Sequence, residues 1–256
     1  MGEITLGTSG WDYPEWVGRV YPPRGVHDKL RYYADLFPTV EVNTTFYRLP
    51  PVAMAQSWVK RTPSKFRFAL KFPQTITHDR KLVGTDEDLE RFLALLKPIR
   101  DAGKFAAALL QLPPSLPFER GTVREFYETL PRDLRVAVEF RERSWLADDS
   151  FDLLKEFGLA YVVVDEPLLP TRLDVTAPFS YVRWHGHGTQ IWYDYTYSEQ
   201  QLTDWVPRMK TLAESTDVVY GFFNNHFRGD AATNAQSLAQ QLGIPPPAWK
   251  SRRTLD

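Results

Sequence analysis

The sequence predicts an α/β fold, a single TIM-type (β/α)8 barrel, and three observations support this prediction. Eight short runs rich in β-branched and aromatic residues recur at intervals of roughly twenty to forty residues. Amphipathic helical patterns lie between most of them, and parallel strands need crossovers of about a dozen residues or more. The length of 256 residues suits one barrel, which commonly has about 250. An open, doubly wound sheet is the alternative.

The predicted strands are short runs bounded by turn residues or by the start of a helical pattern. They span Ile4–Ser9, Thr39–Asn43, Phe66–Phe72, Phe105–Leu112, Arg135–Phe140, Leu159–Asp165, Phe179–His185 and Val218–Asn224.

Helix start signals mark three of the crossovers. Capping-box spacing, which places a helix after the first residue of each pair, is found in Thr85 with Asp88, Thr122 with Glu125, and Ser198 with Gln201. Two of these helices carry a clear apolar stripe that should pack on the sheet. The stripes are Leu89, Phe92, Leu93, Leu96 and Ile99 after Thr85, and Leu202, Trp205, Val206, Met209 and Leu212 after Ser198.

One crossover departs from this pattern. The segment Glu166–Pro178 contains Pro167, Pro170 and Pro178, which a normal helix cannot accommodate. We therefore expect the sixth crossover helix to be missing or irregular. No internal repeat or linker divides the chain, so residues 1–256 are predicted to form one domain, with a proline-rich tail at Ile244–Trp249.

Composition limits the classes of function. The formal net charge of −1 gives no global attraction for a polyanion, so nucleic-acid binding is neither indicated nor excluded. The chain has no cysteine, which excludes disulfides, thiolate metal sites and a cysteine nucleophile. Met1–Gly10 contains acidic Glu3 and no apolar run long enough for a signal peptide or a membrane span. We expect a cytoplasmic protein without membrane contact.

Polar side chains of one parity converge on one end of the predicted barrel. Side chains alternate between the two faces of a strand, so Glu41 and Asn43 share a face while Val40 and Val42 take the other. The carboxyl ends of barrel strands are where barrel enzymes do their chemistry. The polar residues assigned to this mouth are Glu41, Asn43, Lys71, Gln111, Glu139, Arg141, Asp165, Arg183, His185 and Asn224.

Buried charges at this mouth have two interpretations, because an unpaired buried charge costs several kcal/mol and must find a partner or a ligand. In the structural one, Glu41 pairs with Lys71 and Glu139 with Arg183. In the functional one, Glu139 or Glu41 acts as general base or acid, His185 relays a proton, and Asp165 is a further acid. Lys71, Arg141 and Arg183 then hold an anionic group of a substrate.

Metal binding is weakly indicated. His185 and His187 have i, i+2 spacing on a strand, and Glu139, Asp165 and His226 are further potential ligands. Because a chain with 5 histidines makes chance proximity plausible, we predict neither a metal site nor a cofactor.

Aromatic residues are abundant in the loops that follow the strands. They either stack on sugars or bases, with Trp11 and Tyr47 as candidate ligand contacts, or pack together as a small core over the mouth. They are Trp11, Tyr13, Trp16, Phe46, Tyr47, Trp145, Trp192, Tyr193, Tyr195 and Tyr197.

Seven segments in order along the chain resemble the YecE-like family, a domain of unknown function in bacteria and archaea. The resemblance implies a (β/α) barrel with the residues above, and also Asn225, at the family's motif positions at the mouth. Trp184 stands where the family more often has a smaller aliphatic residue, and its parity points it toward the helices. The segments are Gly7–Pro23, Val40–Pro50, Phe68–Leu82, Leu109–Ser115, Val138–Trp145, Tyr181–Gly186 and Phe222–Leu238.

The family's barrel is similar in outline to that of endonuclease IV, but a similar fold is weak support for a similar function. The leading hypothesis is an enzyme, best classed as a hydrolase, that acts on a phosphorylated, nucleotide-like or sugar-like small molecule. The alternative is a non-catalytic barrel that binds nucleic acid through Lys71, Arg141, Arg183 and the loop aromatics. A third interpretation makes the mouth purely structural. The sequence gives no indication of the oligomeric state.

Overall fold

A computed structural model describes residues 1–247 and shows a closed barrel of eight parallel strands. Each strand pairs with the next one along the chain, and the last pairs with the first, so that Thr8 lies opposite Phe223. The predicted TIM-type barrel is confirmed. The strands are β1 (Glu3–Ser9), β2 (Thr39–Val42), β3 (Arg67–Lys71), β4 (Phe105–Gln111), β5 (Val136–Glu139), β6 (Ala160–Asp165), β7 (Phe179–Trp184) and β8 (Val218–Phe223).

Helices connect each strand to the next one along the chain, except between β6 and β7. Between Asp165 and Phe179 the described backbone forms no helix, as the prolines of this segment predicted. Single helical turns follow four strands, at Pro14–Trp16, Thr75–Asp79, Arg143–Leu146 and Phe227–Gly229. The helices are α1 (Lys29–Leu36), α2 (Thr44–Tyr47), α3 (Val52–Arg61), α4 (Asp86–Asp101), α5 (Arg120–Thr129), α6 (Asp148–Phe157), α7 (Glu199–Glu214) and α8 (Asp230–Gln241).

The three predicted helix caps have three different outcomes. Ser198 and Gln201 form a full capping box at α7, as predicted. Thr85 stands at the N-cap of α4 but makes no side-chain capping bond. The prediction for Thr122 was wrong, because α5 begins earlier. Its N-cap is Glu119, whose carboxylate accepts hydrogen bonds from the backbone N–H groups of Gly121 (3.0 Å) and Thr122 (2.7 Å).

Apolar side chains form two layers, one inside the barrel and one between the sheet and the helices. The inner layer is built from inward residues such as Leu109, Val162 and Phe222. Trp184 belongs to the outer layer, as its parity predicted, and stacks on Phe223 with ring centroids 4.3 Å apart. Strand alternation thus leaves the polar inward residues at one end of the barrel.

Two further predictions concern the ends of the chain and membranes. Within residues 1–247 no helix is long and apolar enough to cross a membrane. Ile244 packs against the outer core. Of the predicted tail, only Ala248 and Trp249 lie outside the described residues. That the whole chain forms one domain stays a prediction.

Candidate functional site

Three charged side chains from separate strands meet inside the barrel, below its mouth. Arg183 on β7 donates through Nη2 to Oε1 of Glu41 on β2 (2.8 Å) and through Nη1 to Oε2 of Glu139 on β5 (2.5 Å). All three side chains are buried, and both carboxylates are completely inaccessible. We call Glu41, Glu139 and Arg183 the buried frame. The predicted pair of Glu139 with Arg183 is present, whereas Glu41 also pairs with Arg183 and not with Lys71.

Further hydrogen bonds fix the carboxylate of Glu41. Oε1 also accepts from Ser9 Oγ on β1 (2.7 Å), and Oε2 accepts from the Tyr181 hydroxyl on β7 (2.8 Å). Burial and the nearby Glu41 charge raise the pKa of Tyr181 well above its usual value, so the hydroxyl remains a donor. Glu41 is thus held from three directions, and the geometry gives no support to its predicted role as a general base.

Glu139 is equally committed. Its Oε1 accepts a hydrogen bond from Arg141 Nε, just beyond the end of β5. Burial alone would raise the pKa of Glu139, but the guanidinium groups of Arg141 and Arg183 hold it well below its usual value. A carboxylate with so low a pKa and two guanidinium partners is a weak base. We interpret Glu139 as an electrostatic support for Arg141 and not as the group that moves a proton.

His185 positions the other side of Arg141. Its Nε2 accepts from Arg141 Nη2 (2.8 Å), and its Nδ1 lies 3.1 Å from the side-chain amide of Asn224. Burial, followed by the Arg141 charge, lowers the pKa of His185 to about 3, so the ring is neutral near pH 7. The ring's accepting nitrogen is occupied by a guanidinium. Geometry therefore favours a positioning role over the predicted proton relay.

Lys71 stands apart from the buried frame. Its Nζ donates to Oε1 of Gln111 on β4 (2.7 Å) and lies 3.9 Å from the centroid of the Phe46 ring. Burial, followed by the nearby Arg183 charge, lowers the pKa of Lys71 to about 7. Near neutral pH this amine therefore exchanges between its charged and its neutral form. That property is typical of lysines that act in catalysis.

The sequence analysis missed Glu166, which follows β6 and is 5% exposed. Its Oε1 accepts from the backbone N–H of Leu169 (2.8 Å), while Oε2 has no hydrogen-bond partner among residues 1–247. Burial raises the pKa of Glu166 above its usual value. Strand alternation could have identified it, because it continues the inward series of Val162 and Val164.

The phase of β6 also shows that the predicted mouth position of Asp165 was wrong. Asp165 continues the opposite series, in which Tyr161 faces the helices and packs on Phe151 of α6 (5.1 Å). Its Oδ2 accepts from Trp205 Nε1 on α7 (3.0 Å), and its Oδ1 is 2.7 Å from His187 Nε2. Asp165 thus faces the helix layer, whereas the next residue, Glu166, faces the inside of the barrel.

A pocket of about 280 Å³ opens at the mouth beside these groups, just below the usual size range of ligand pockets. Its polar wall includes Arg141 and Glu166, while Trp192 and Tyr193 from the loop after β7 form an apolar wall. The Arg141 guanidinium lies 5.7 Å from the Trp192 ring centroid. The remaining lining residues are Gln111, Pro114, Leu168, His185 and Asn224.

The other predicted ligand contacts divide into packed and accessible residues. Asn225 is buried and donates to Asn234 (2.9 Å), so it serves the local structure. Trp11 is half-buried and lies edge-on to Trp58 at 6.0 Å. Tyr47 is 76% exposed beside the mouth. The side-chain oxygen of Asn43 is buried without a partner among residues 1–247.

The loop aromatics also divide into two groups. Trp16, Trp145 and Tyr197 are buried in the outer core, as the packing interpretation predicts. Tyr13 stacks on the ring of His226 at 4.4 Å. Trp192 and Tyr193 belong to the second group and line the pocket, so only part of the aromatic set is packed into the core.

The two histidines suggested as a metal-binding pair contact different parts of the protein. His185 contacts Arg141, whereas His187 contacts Asp165 on the helix side. In the part of the chain that the structure describes, no three histidine, aspartate or glutamate side chains cluster closely enough to hold a metal ion.

Comparison with known proteins identifies the family. The model of the family described as "Protein of unknown function DUF72" matches residues 5–254. The chain belongs to the DUF72 family. The resemblance seen in the sequence motifs is thereby confirmed, and the family's description assigns no reaction.

Named relatives of this DUF72 protein include two of the UPF0759 group. UPF0759 protein YunF of Bacillus subtilis (strain 168) is 31% identical over 271 residues, which covers 94% of this chain and 95% of YunF. UPF0759 protein YecE of Escherichia coli (strain K12) is 32% identical over 170 residues, or 66% of this chain and 60% of YecE.

Solved structures of the family share the barrel. A DUF72 family protein from Thermotoga maritima MSB8 superimposes with a TM-score of 0.84 at 31% identity, covering 94% of this chain and 99% of that one. A DUF72 family protein from Enterococcus faecalis V583 gives a TM-score of 0.84 at 24% identity, covering 94% and 96% of the two chains. These structures support the fold and leave the chemistry to be inferred from the site.

Proposed function

We propose that the barrel mouth is the active site of an enzyme that acts by acid/base catalysis on a small anionic or sugar-like substrate, with hydrolysis as the reaction class. One observation carries the proposal. Lys71 and Glu166, whose pKa values are both shifted toward neutrality, lie at the mouth, where Glu166 lines the pocket and Lys71 bonds to another lining residue. Pairs of groups with shifted pKa values are typical of acid/base sites.

The groups around Lys71 and Glu166 are suited to holding a substrate and not to moving a proton. Glu41, Glu139 and Arg183 are buried and joined by charge-assisted hydrogen bonds, which hold their side chains in place below the mouth. Arg141 has two of its nitrogens committed, while Nη1 lies 3.7 Å from Glu166 Oε2 and is the guanidinium atom available to a ligand. The neighbouring rings of Trp192 and Tyr193 suit the apolar face of a sugar or a base.

A hydrolysis panel tests the proposal. Wild type, Glu166→Gln and Glu125→Gln are assayed with p-nitrophenyl phosphate, bis(p-nitrophenyl) phosphate and a series of p-nitrophenyl glycosides. Glu166→Gln keeps the shape of the side chain but cannot exchange a proton, so we expect hydrolysis to fall by about 10²–10⁴. Glu125 is exposed on α5 and serves as the matched control, with unchanged turnover expected.

Circular dichroism and thermal unfolding of Glu166→Gln establish that the variant is folded. If no compound of the panel is turned over, or if Glu166→Gln hydrolyses it at the wild-type rate, the proposed function is wrong.

Nucleic-acid binding is the second candidate, and the exposed rim aromatics favour it. Tyr47 is 76% exposed and Tyr193 is 39% exposed, and such rings stack on unpaired bases. A single-stranded oligonucleotide would then bind with an affinity that falls steeply with salt, because each phosphate contact releases counterions. Tyr47→Ala should weaken that binding about fivefold or more, given about 1–3 kcal/mol per stacked base.

A further inference from the structure

We propose that the mouth binds an oxyanion together with a proton, and that Lys71 is the group that takes up this proton. The inference rests on the proposed function and names its ligand chemistry: a phosphate, sulfate or carboxylate group. In the complex Lys71 is charged, so it binds the anion and can donate a proton. Glu166 is then the group that can accept a proton.

The fixed charges of the mouth cancel one another. Two carboxylates, Glu41 and Glu139, face two guanidinium groups, Arg183 and Arg141, and each of the four is within hydrogen-bond distance of an opposite charge. Removing any of them from its partner would leave a buried unpaired charge, which is strongly unfavourable. The arginines expected from the sequence to hold an anion are therefore largely occupied by the protein's own acids.

Lys71 is the cation at the mouth that lacks such a partner. Among residues 1–247 no carboxylate lies within 4.0 Å of its Nζ, whose neighbours are the Gln111 amide oxygen and the Phe46 ring. Lys71 is partly buried, and the loss of water around an ammonium without a counter-ion favours either release of its proton or recruitment of an anion. Gln111 both binds Lys71 and lines the pocket, so an anion in the pocket can reach the amine by replacing this amide.

Charged groups on several elements lie near Lys71, and they have opposite effects on its pKa. Burial is the largest influence on the amine and favours its neutral form. Arg183 and Arg141 act in the same direction, whereas Glu139 and Glu41 favour the charged form. His78 in the turn after β3 is also nearby, since burial and then the Lys71 charge lower the pKa of its ring. The charged groups facing Lys71 are Glu41 on β2, His78 after β3, Glu139 and Arg141 at the end of β5, and Arg183 on β7.

The sign of the pH dependence follows from this arrangement. Burial lowers the pKa of Lys71 to about 7 in the free protein, and a bound anion raises it again because it supplies the missing counter-charge. Affinity should therefore be greatest below pH 7. Above pH 7 it should fall by about tenfold per pH unit until the pKa of the complex is reached, with close to one proton taken up per anion.

Calorimetric titration with inorganic sulfate tests the inference, because sulfate does not change its own protonation over this range. At about pH 8 each titration is repeated in two buffers with different ionisation enthalpies, which gives the number of protons taken up. Wild type should take up close to one proton. Lys71→Arg, which is charged at every pH, should bind without proton uptake and with an affinity independent of pH.

Two further variants complete the test. Lys71→Met should bind at least tenfold more weakly, whereas Lys155→Met on the exposed face of α6 should behave like wild type in both affinity and proton count. Sulfate binding at the mouth without proton uptake in wild type would overturn the inference and leave the proposed function standing. If wild type binds no sulfate, the oxyanion is excluded, and the glycoside assays with Glu166→Gln decide the proposed function separately.

Discussion

Two buried tyrosines show how far a single side chain's surroundings decide its contribution to stability. The Tyr33 hydroxyl accepts from the backbone N–H (2.9 Å) and the hydroxyl (2.8 Å) of Thr8, and it donates to the carbonyl of Thr39 (3.0 Å). The equally buried Tyr127 hydroxyl has no partner among residues 1–247. A hydroxyl removed from water without a partner costs free energy, whereas a bonded one recovers that cost.

Replacing each tyrosine by phenylalanine should separate these two situations. Tyr33→Phe leaves the Thr8 N–H and the Thr39 carbonyl without that partner, so we expect the free energy of unfolding to fall by about 1–3 kcal/mol. Tyr127→Phe removes an uncompensated hydroxyl and should leave stability unchanged or raise it. Urea unfolding of both variants against wild type measures the difference. Equal destabilisation by the two substitutions would contradict the hydrogen-bond assignment.

Residue by residue, local alternation predicted much of the mouth, and its failure has a clear cause. It placed Glu41, Lys71, Glu139 and Arg183 inside the barrel because each lies on the face opposite its strand's helix-packing residues. In β6 every residue from Tyr161 to Val164 is apolar, so the sequence offers no contrast between the faces. Position alone predicts that the first acid after this run, Asp165, faces inward, whereas packing of Val162 and Val164 inside the barrel sets the phase that selects Glu166.

Among the elements, the cap of α7 gives a measurable contribution. Ser198 Oγ accepts from the Gln201 backbone N–H (3.3 Å), and the Gln201 side chain accepts from the Ser198 N–H (2.9 Å). Ser198→Ala should therefore lower the free energy of unfolding by about 0.5–2 kcal/mol. Thr85→Val is the matched control, because Thr85 makes no side-chain capping bond at α4. Thr85→Val removes no capping bond, so it should destabilise the protein less than Ser198→Ala does, and thermal or urea unfolding of both variants checks the contrast.

The elements also show which signals a sequence carries. Strand and helix order could be predicted because each element has its own period and its own breakers, such as the prolines between β6 and β7. The start of α5 could not, because Glu119 is an unusual N-cap residue and Thr122 matches the common pattern. The ion pair of Arg183 with Glu41 joins residues 142 positions apart. Such a pairing depends on closure of the whole barrel, which no local pattern specifies.

At the scale of the whole molecule, the buried frame connects opposite sides of the barrel. Arg183 on β7 reaches Glu41 on β2 and Glu139 on β5, and Arg141 joins the second carboxylate. Parallel pairing of β1 with β8 closes the sheet around this network. Strands far apart in sequence thus share one electrostatic network, so a change of charge inside it should affect the stability of the entire fold.

Acid should therefore destabilise the protein through this network, in which His185 is a titrating group bonded to Arg141. Its folded pKa of about 3 lies below its usual value of 6.5, so the unfolded chain binds the additional proton. The stability contribution is complete above pH 6.5 and is lost as the pH falls toward 3, at up to about 1.4 kcal/mol per pH unit. Glu139, whose folded pKa is also depressed, adds to the loss below its usual value of 4.5.

Urea unfolding of His185→Gln at a series of pH values isolates the contribution of His185. Glutamine can still accept from Arg141 but does not titrate, so the variant should lose stability between pH 6.5 and 4.5 less steeply than wild type, by up to about 1.4 kcal/mol per pH unit. His27→Gln is the control, because His27 is exposed on the loop before α1 and is not part of the frame; it should follow the wild-type curve. Parallel curves for wild type and His185→Gln would show that His185 is not the group through which acid acts, even if the variant is less stable at every pH.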